Sequence, residues 1–166
     1  MKVNLRIATV DDIPAIIRMQ EQTWEPTYRE ILSREQIDYM FDRMYSDSSL
    51  KEQMTQLGHT FVVAEEDSVV LGFASFNRID ATKQVYKLQK IYVLPGTQGS
   101  GVGRLLLDEV ESQCRERGGQ TLWLNVNRYN RAITFYKRQG FSVLREEDIP
   151  VGPYWMNDYL MEKALE

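Results

Sequence analysis

The chain has 166 residues, 43% hydrophobic and 27% charged, with a formal net charge of −4. That length suits a single domain over 1–166 with a full-sized core, and the acidic balance counts against a nucleic-acid binder, which carries a basic excess. No stretch reaches the length of a membrane span, and one cysteine (Cys114) with one histidine (His59) offers neither a disulfide nor a metal cluster.

The opening residues, MKVNLRIATVDDIP, lack the apolar core of a signal peptide, so a cytoplasmic location is expected. Leu5 to Ala8 is a short strand pattern. Thr9, Asp11 and Asp12 offer caps and first-turn carboxylates to a helix carrying Ile13, Ile16, Ile17 and Gln20, which Trp24, Pro26 and Tyr28 are expected to interrupt. Ser33 and Gln36 have capping-box spacing before a helix with Ile37, Met40, Phe41 and Met44 on one face. Ser48 or Ser49 opens a short piece ending near Gly58.

Thr60–Glu65 and Val69–Asn77 are β-branched, apolar runs around the polar turn Glu66-Asp67-Ser68, which predicts a hairpin. Gly72 within the second run predicts a bulge or a close backbone approach. A strand follows from Val85 to Val93, then a glycine-rich loop, then a helix striped by Gly103, Leu106, Leu107, Val110 and Cys114. Thr121–Val126 is a strand, and Asn130 opens a helix carrying Ala132, Ile133, Phe135 and Tyr136. Phe141–Leu144 is a strand, Arg145–Trp155 a loop, and Met156–Lys163 a last strand. The order predicts an α+β fold: a mixed, mostly antiparallel twisted sheet of six to seven strands, with about four helices on both faces and a parallel crossover from Val85 to Val126. The C-terminal edge strand offers a surface for a homodimer.

The stretch Lys90–Asp108, KIYVLPGTQGSGVGRLLLD, carries the chemistry. Gly99, Gly101 and Gly103 let a backbone turn at positive φ and let a ligand approach closely. The helix behind them adds unpaired N–H groups and the positive end of its dipole. The loop therefore reads either as an anion site for a pyrophosphate or as a flexible turn. It is not a nucleotide P-loop: Val102 and Gly103 stand where Lys and Ser/Thr are needed. Nor is it a dinucleotide fingerprint, since the glycine spacing differs and no acidic residue closes the next strand. What it matches is Gln-x-x-Gly-x-Gly at Gln98, Gly101 and Gly103.

That hexad, after a strand ending in Val93, resembles the signature of the GNAT superfamily of acyl-CoA-dependent N-acyltransferases. A second block, NRAITFYKRQGF at Asn130–Phe141, resembles the family's Asn-x-x-Ala-x-x-Phe-Tyr-x-x-x-Gly-Phe segment. Thr23–Glu30, Val126–Phe141 and Tyr154–Lys163 are similar to the family's bacterial polyamine-acetylating branch. The resemblance implies a GNAT-like fold and acetyl-CoA as cosubstrate, with no metal. It implies that Gln98, Gly99, Ser100, Gly101, Val102 and Gly103 hold the pyrophosphate, with charge from Arg104 and a side-chain contact from Asn130. It implies that the Ile91–Tyr92–Val93 backbone pairs with the pantetheine arm, an N–H near Ile91 or Tyr92 polarising the thioester carbonyl. Tyr136 takes the family's proton-donor position, although a tyrosine on an apolar helix face otherwise fills a core.

The chain departs from the family at the base. Lys87 and Gln89 stand where a carboxylate is common on the strand before the loop. Glu25 or Glu30 acting through water, or Tyr92, remain as candidates, and His59 reads as a surface residue. Trp24, Tyr28 and Trp155 are candidates for the acceptor pocket, where aromatic faces hold a cationic amine; Trp24 and Tyr28 read equally as core. Three functions stay open: acetylation of a small primary amine such as a polyamine, acetylation of a peptide or protein α-amine, and a non-catalytic acyl-CoA sensor.

Overall fold

The structure, a computed structural model, describes residues 2–166. Its elements run β1 (Asn4–Ile7), α1 (Ile13–Tyr28), α2 (Arg34–Met44), α3 (Asp47–Thr55), β2 (Thr60–Glu66), β3 (Val69–Asp80), β4 (Val85–Val93), α4 (Val102–Glu116), β5 (Thr121–Asn127), α5 (Ala132–Arg138), β6 (Ser142–Val151) and β7 (Tyr154–Ala164). The seven strands form one sheet in the order β1-β2-β3-β4-β5-β7-β6. Only β4 and β5 are parallel, joined through α4 as the crossover pattern predicts.

Each sheet face has its own core. On one, α4 and α5 bury Leu106, Leu107, Val110 and Tyr136 against Val62, Ala74, Leu88, Leu122 and Leu124. On the other, α1, α2 and α3 bury Ile13, Ile16, Trp24, Ile37 and Leu50 against Phe61, Val63 and Phe73. Strand alternation decides which side chain joins which core.

In β4 that alternation changes phase. Phe76 pairs with Leu88 and Ser75 with Lys90, so Gln89 is an extra residue. Leu88 therefore faces α4, and beyond the bulge Ile91 and Val93 take that side while Tyr92 turns toward α1. Lys90 turns with Tyr92 and is 6% exposed; its Nζ donates to Gln53 Oε1 at 2.6 Å on α3. Gly72, opposite Val93, leaves room for this strand: a Cβ there would stand 2.8 Å from the Tyr92 carbonyl and 3.1 Å from Leu106. The register also slips beside it, between Ala64 and Glu65.

Four local expectations are corrected. The first helix does not break at Trp24 but runs to Tyr28 with Pro26 inside it. Pro26 sits in the last turn, where it costs one internal bond. Burial of Trp24 and Tyr28 on either side, rings 4.6 Å apart, holds the turn helical. The third helix is capped by Ser46, whose Oγ accepts from Ser49 N, and not by Ser48 or Ser49. Gln36 does not close the capping box; its amide donates to the Trp155 carbonyl at 2.8 Å and ties α2 to β7. Finally, most of Arg145–Trp155 is strand: it supplies the long β6, the turn at Gly152 and Pro153, and the start of β7.

Candidate active site

The parallel pairing of β4 with β5 stops at Leu88–Leu124. Beyond it β4 continues along β3, whereas β5 follows β7 through Asn125–Leu160, Val126–Tyr159 and Asn127–Asp158. The strands part, and a cleft of about 1000 Å³ opens between them. Leu94 N–H donates to Leu71 O on β3 at 2.9 Å. The alternation of a strand then turns the N–H groups of Ile91 and Val93 away from β3, toward the cleft. Both residues line it, with Tyr92 between them.

At one end the cleft meets the glycine loop. Pro95–Thr97 makes a single 3₁₀ turn after Leu94. Gly99 and Gly101 have φ of 84° and 92°, which side-chain-bearing residues rarely adopt. The first i→i−4 bond of α4 runs from Leu105 N to Gly101 O at 3.0 Å. The N–H groups of Val102, Gly103 and Arg104 precede it and have no acceptor within the helix. Gln98, Gly99, Gly101, Gly103 and Arg104 line the cleft here, and Asn130 and Arg131 line it from the start of α5. Asn130 Oδ1 accepts from Ala132 N at 2.8 Å, just before that helix.

Two loop residues also make contacts within the protein. Ser100 N–H is taken up by Thr97 O at 3.2 Å, and its hydroxyl donates to the same carbonyl. Val102 turns its side chain into the core, where it is 1% exposed and faces Gly72.

At the other end Tyr136 and Tyr28 line the wall. Tyr136 is 8% exposed, in edge-on contact with Phe135 and Phe141. Burial first, and then Tyr28, pushes its phenol well above the ordinary tyrosine value. Tyr28 donates to or accepts from Tyr92 at 3.3 Å, and burial raises both phenols as well. The Tyr92 backbone borders the cleft while its ring is packed against Trp24 and Phe73. A phenol held that firmly protonated does not serve as a base at neutral pH.

The other candidates divide. Trp24 lies beneath the cleft, 2% exposed, with Nε1 donating to Ile37 O at 3.0 Å: it is core. Trp155 is 56% exposed and lies outside the cleft. Glu25 is paired with Arg29 at 2.7 Å and does not line the cleft; Glu30 does, as an exposed side chain. Gln89 donates to Asn77 Oδ1 at 2.8 Å. His59 is half-buried with its Nδ1 enclosed, and burial together with Lys90 lowers its pKa to about 4.

One further cleft residue belongs to no sequence motif. Asp158 of β7 lines the wall, is 5% exposed, and its Oδ1 has no hydrogen-bond partner. Burial raises its pKa to about 6. The signal is a matter of parity: Met156, Asp158 and Leu160 share one face of β7, so Asp158 is an acid flanked by two apolar residues at an inward position.

Comparison with known proteins agrees with this geometry. Residues 15–141 match the model of the Acetyltransferase (GNAT) family. The chain is 30% identical over 151 residues to the uncharacterized N-acetyltransferase YuaI of Bacillus subtilis, covering 90% of this chain and 86% of that protein. It is 29% identical over 171 residues to a spermidine N(1)-acetyltransferase of Thermoplasma acidophilum, covering 100% and 99%. It superposes on the crystal structure of the PaiA N-acetyltransferase of Thermoplasma acidophilum in complex with coenzyme A with a TM-score of 0.83, at 28% identity over 99% of both chains. The chain belongs to the GNAT family of acyl-CoA N-acyltransferases, and it is an acetyl-CoA-dependent N-acetyltransferase. No helix among the described residues is long and apolar enough to cross a membrane.

Proposed function

We propose that this N-acetyltransferase moves acetyl from acetyl-CoA to a primary amine of a small cationic molecule of the polyamine class. The observation that carries the reading is the divergence of β4 from β5 past Leu88, with the open end of α4 at one end of the cleft and Tyr28 and Tyr136 along its wall. The full-length similarity to a spermidine acetyltransferase supports the acceptor class.

The free N–H groups of Val102, Gly103 and Arg104, with the α4 dipole, suit a pyrophosphate. Gly99 and Gly101 have nothing within 4 Å of a notional Cβ, so the space above the loop is open to a ligand. Gln98 donates to Val93 O at 3.4 Å and steadies the loop on the strand. Ile91 and Val93 give the coenzyme's amide-bearing arm a strand edge to pair with. Arg104 and Asn130 flank the phosphate end, and Tyr28 offers an aromatic wall to the acceptor.

The bound thioester supplies an activated acetyl group and a thiolate leaving group. Tyr136 keeps its proton across neutral pH and is the donor to the departing sulfur. Its raised pKa does not forbid the transfer, because the enclosure that disfavours the phenolate disfavours the thiolate too.

The test is release of free CoA thiol across spermidine, other diamines, amino acids and short peptides. Turnover with diamines and polyamines supports the reading; turnover confined to peptide α-amines overturns the acceptor class. Acetyl-CoA should raise the melting temperature, because it binds the folded state alone. An equal rise with ATP or NAD would overturn the cosubstrate.

A further inference from the structure

We propose that the Asp158 carboxylate receives the acceptor's ammonium group and takes its proton. This inference rests on the acetyltransferase reading and names the base that β4 does not provide. On β4 before its free edge stand Lys87, which does not line the cleft, and Gln89, which does and whose amide is engaged by Asn77.

Asp158 lies opposite Asn127, three pairs past the point where β5 leaves β4. It is thus on the wall facing the free edge of Gln89–Val93, in the cleft that also holds Tyr136 and Tyr28. An enclosed carboxylate oxygen with no partner is costly, and a cation delivered through the cleft would satisfy it. The neighbouring acids are engaged: Glu147 accepts from Asn125 at 2.9 Å and pairs with Arg145 at 3.1 Å, and Asp148 pairs with Arg128 at 3.0 Å.

Charged and polar groups face Asp158 from every neighbouring element. Lys87 on β4, Arg128 after β5 and Asn125 on β5 favour its ionised form, and Glu147 on β6 opposes it. The Asp158 charge in turn disfavours ionisation of Tyr28 on α1. Burial outweighs the favourable partners, so the carboxyl titrates at about 6 and is a base at neutral pH. Transfer from an ammonium is helped by the same burial, which favours the neutral carboxyl–amine pair over the ion pair.

The step balances. The ammonium gives one proton to Asp158, and the nitrogen lone pair forms a bond to the acetyl carbon. The carbon–sulfur bond breaks with its electron pair on sulfur, which takes the Tyr136 proton. The nitrogen's second proton restores Tyr136, and Asp158 releases its own to water, so amide, free thiol and one proton result.

The experiment is the pH profile of kcat/KM for wild type, Asp158→Asn and Asp158→Glu, with acetyl-CoA melting shifts alongside. Expected are an acid limb near the Asp158 pKa of about 6 in wild type, a plateau above it, and a loss of about 100-fold or more in Asp158→Asn. That variant should keep its acetyl-CoA shift, and Asp158→Glu should recover part of the rate. If the wild-type profile instead climbs until the free amine itself ionises, near pH ~10, the protein uses only amine already neutral in solution and the proposal falls. It also falls if Asp158→Asn keeps the acid limb and its rate. No thiol release by wild type with any amine, together with no acetyl-CoA shift, would overturn the acetyltransferase reading itself.

Discussion

The Tyr28 and Tyr92 hydroxyls meet at 3.3 Å, one from the last turn of α1 and one from the strand that borders the cleft. This contact joins the Tyr28 wall of the cleft to Trp24, whose ring lies 4.6 Å from Tyr28 and 6.0 Å from Tyr92. Removing one hydroxyl leaves the other enclosed without its partner. Tyr92→Phe should therefore cost about 1 kcal/mol, read as a lower urea midpoint with an unchanged slope. The acetyl-CoA melting shift should persist, because the Tyr92 ring faces α1 while its backbone borders the cleft. A lost shift would mean that the pair positions the β4 edge itself.

Tyr136→Phe keeps the ring contacts with Phe135 and Phe141 and removes the phenolic proton alone. Turnover should fall by about 100-fold, with acetyl-CoA affinity within about twofold of wild type. Because burial holds the phenol protonated, the wild-type rate should show no alkaline decline below pH ~9 from this group. Turnover within about twofold of wild type in a folded Tyr136→Phe would take the donor role away from it.

The glycine loop separates backbone strain from ligand clearance. Gly101 has φ of 92° and open space around a notional Cβ, so Gly101→Ala is penalised by conformation alone, about 1–2 kcal/mol. Gly103 is different: a Cβ there makes ordinary contacts with Val93 at 3.7 Å and Phe135 at 3.8 Å. Gly103→Ala should fold at least as stably as wild type, since Ala outranks Gly inside a helix, yet bind CoA at least tenfold more weakly if the proposed pyrophosphate site lies over the start of α4. Urea unfolding checks the Gly101→Ala penalty and calorimetric titration with CoA checks Gly103→Ala, where unchanged affinity would move the pyrophosphate away from α4.

The parts of this site that read from sequence are those where one residue type has one physical use. Glycines before a helical stripe and the strand ending at Val93 are legible because local backbone geometry dictates them, whereas Tyr136 is singled out only by its resemblance to the family block. What stayed hidden depends on partners distant in the chain. Trp24–Tyr28 remained helical past Pro26 because two large rings are buried there. The Arg145–Val151 part of β6 reads as a loop because most of the strand's residues are exposed, leaving no alternation to read. The divergence of β4 from β5, which makes the cleft, is a register fact that no single segment encodes. Asp158 was legible only as an anomaly of parity, and its meaning needed the opposite wall.

His59 and Asp158 should pull stability in opposite directions with pH. The His59 pKa is lowered from 6.5 to about 4 by burial and by Lys90. Between those values the unfolded chain binds the extra proton, so this contribution is complete above the unfolded value and is lost as pH falls through the window. The Asp158 pKa is raised from 3.8 to about 6 by burial. Here the folded chain binds the extra proton, so this contribution is present at low pH and is lost as pH rises through its window. Urea unfolding should then show His59→Gln flattening the loss of stability below pH ~6. Asp158→Asn should be more stable than wild type near pH ~8, by about 1–2 kcal/mol after discounting for solvent screening, with the gain fading near pH ~4. A carboxylate kept in the wall at that cost to the fold is what a working base would look like. A destabilised Asp158→Asn at alkaline pH would instead mark it as a structural partner of Lys87 and Arg128.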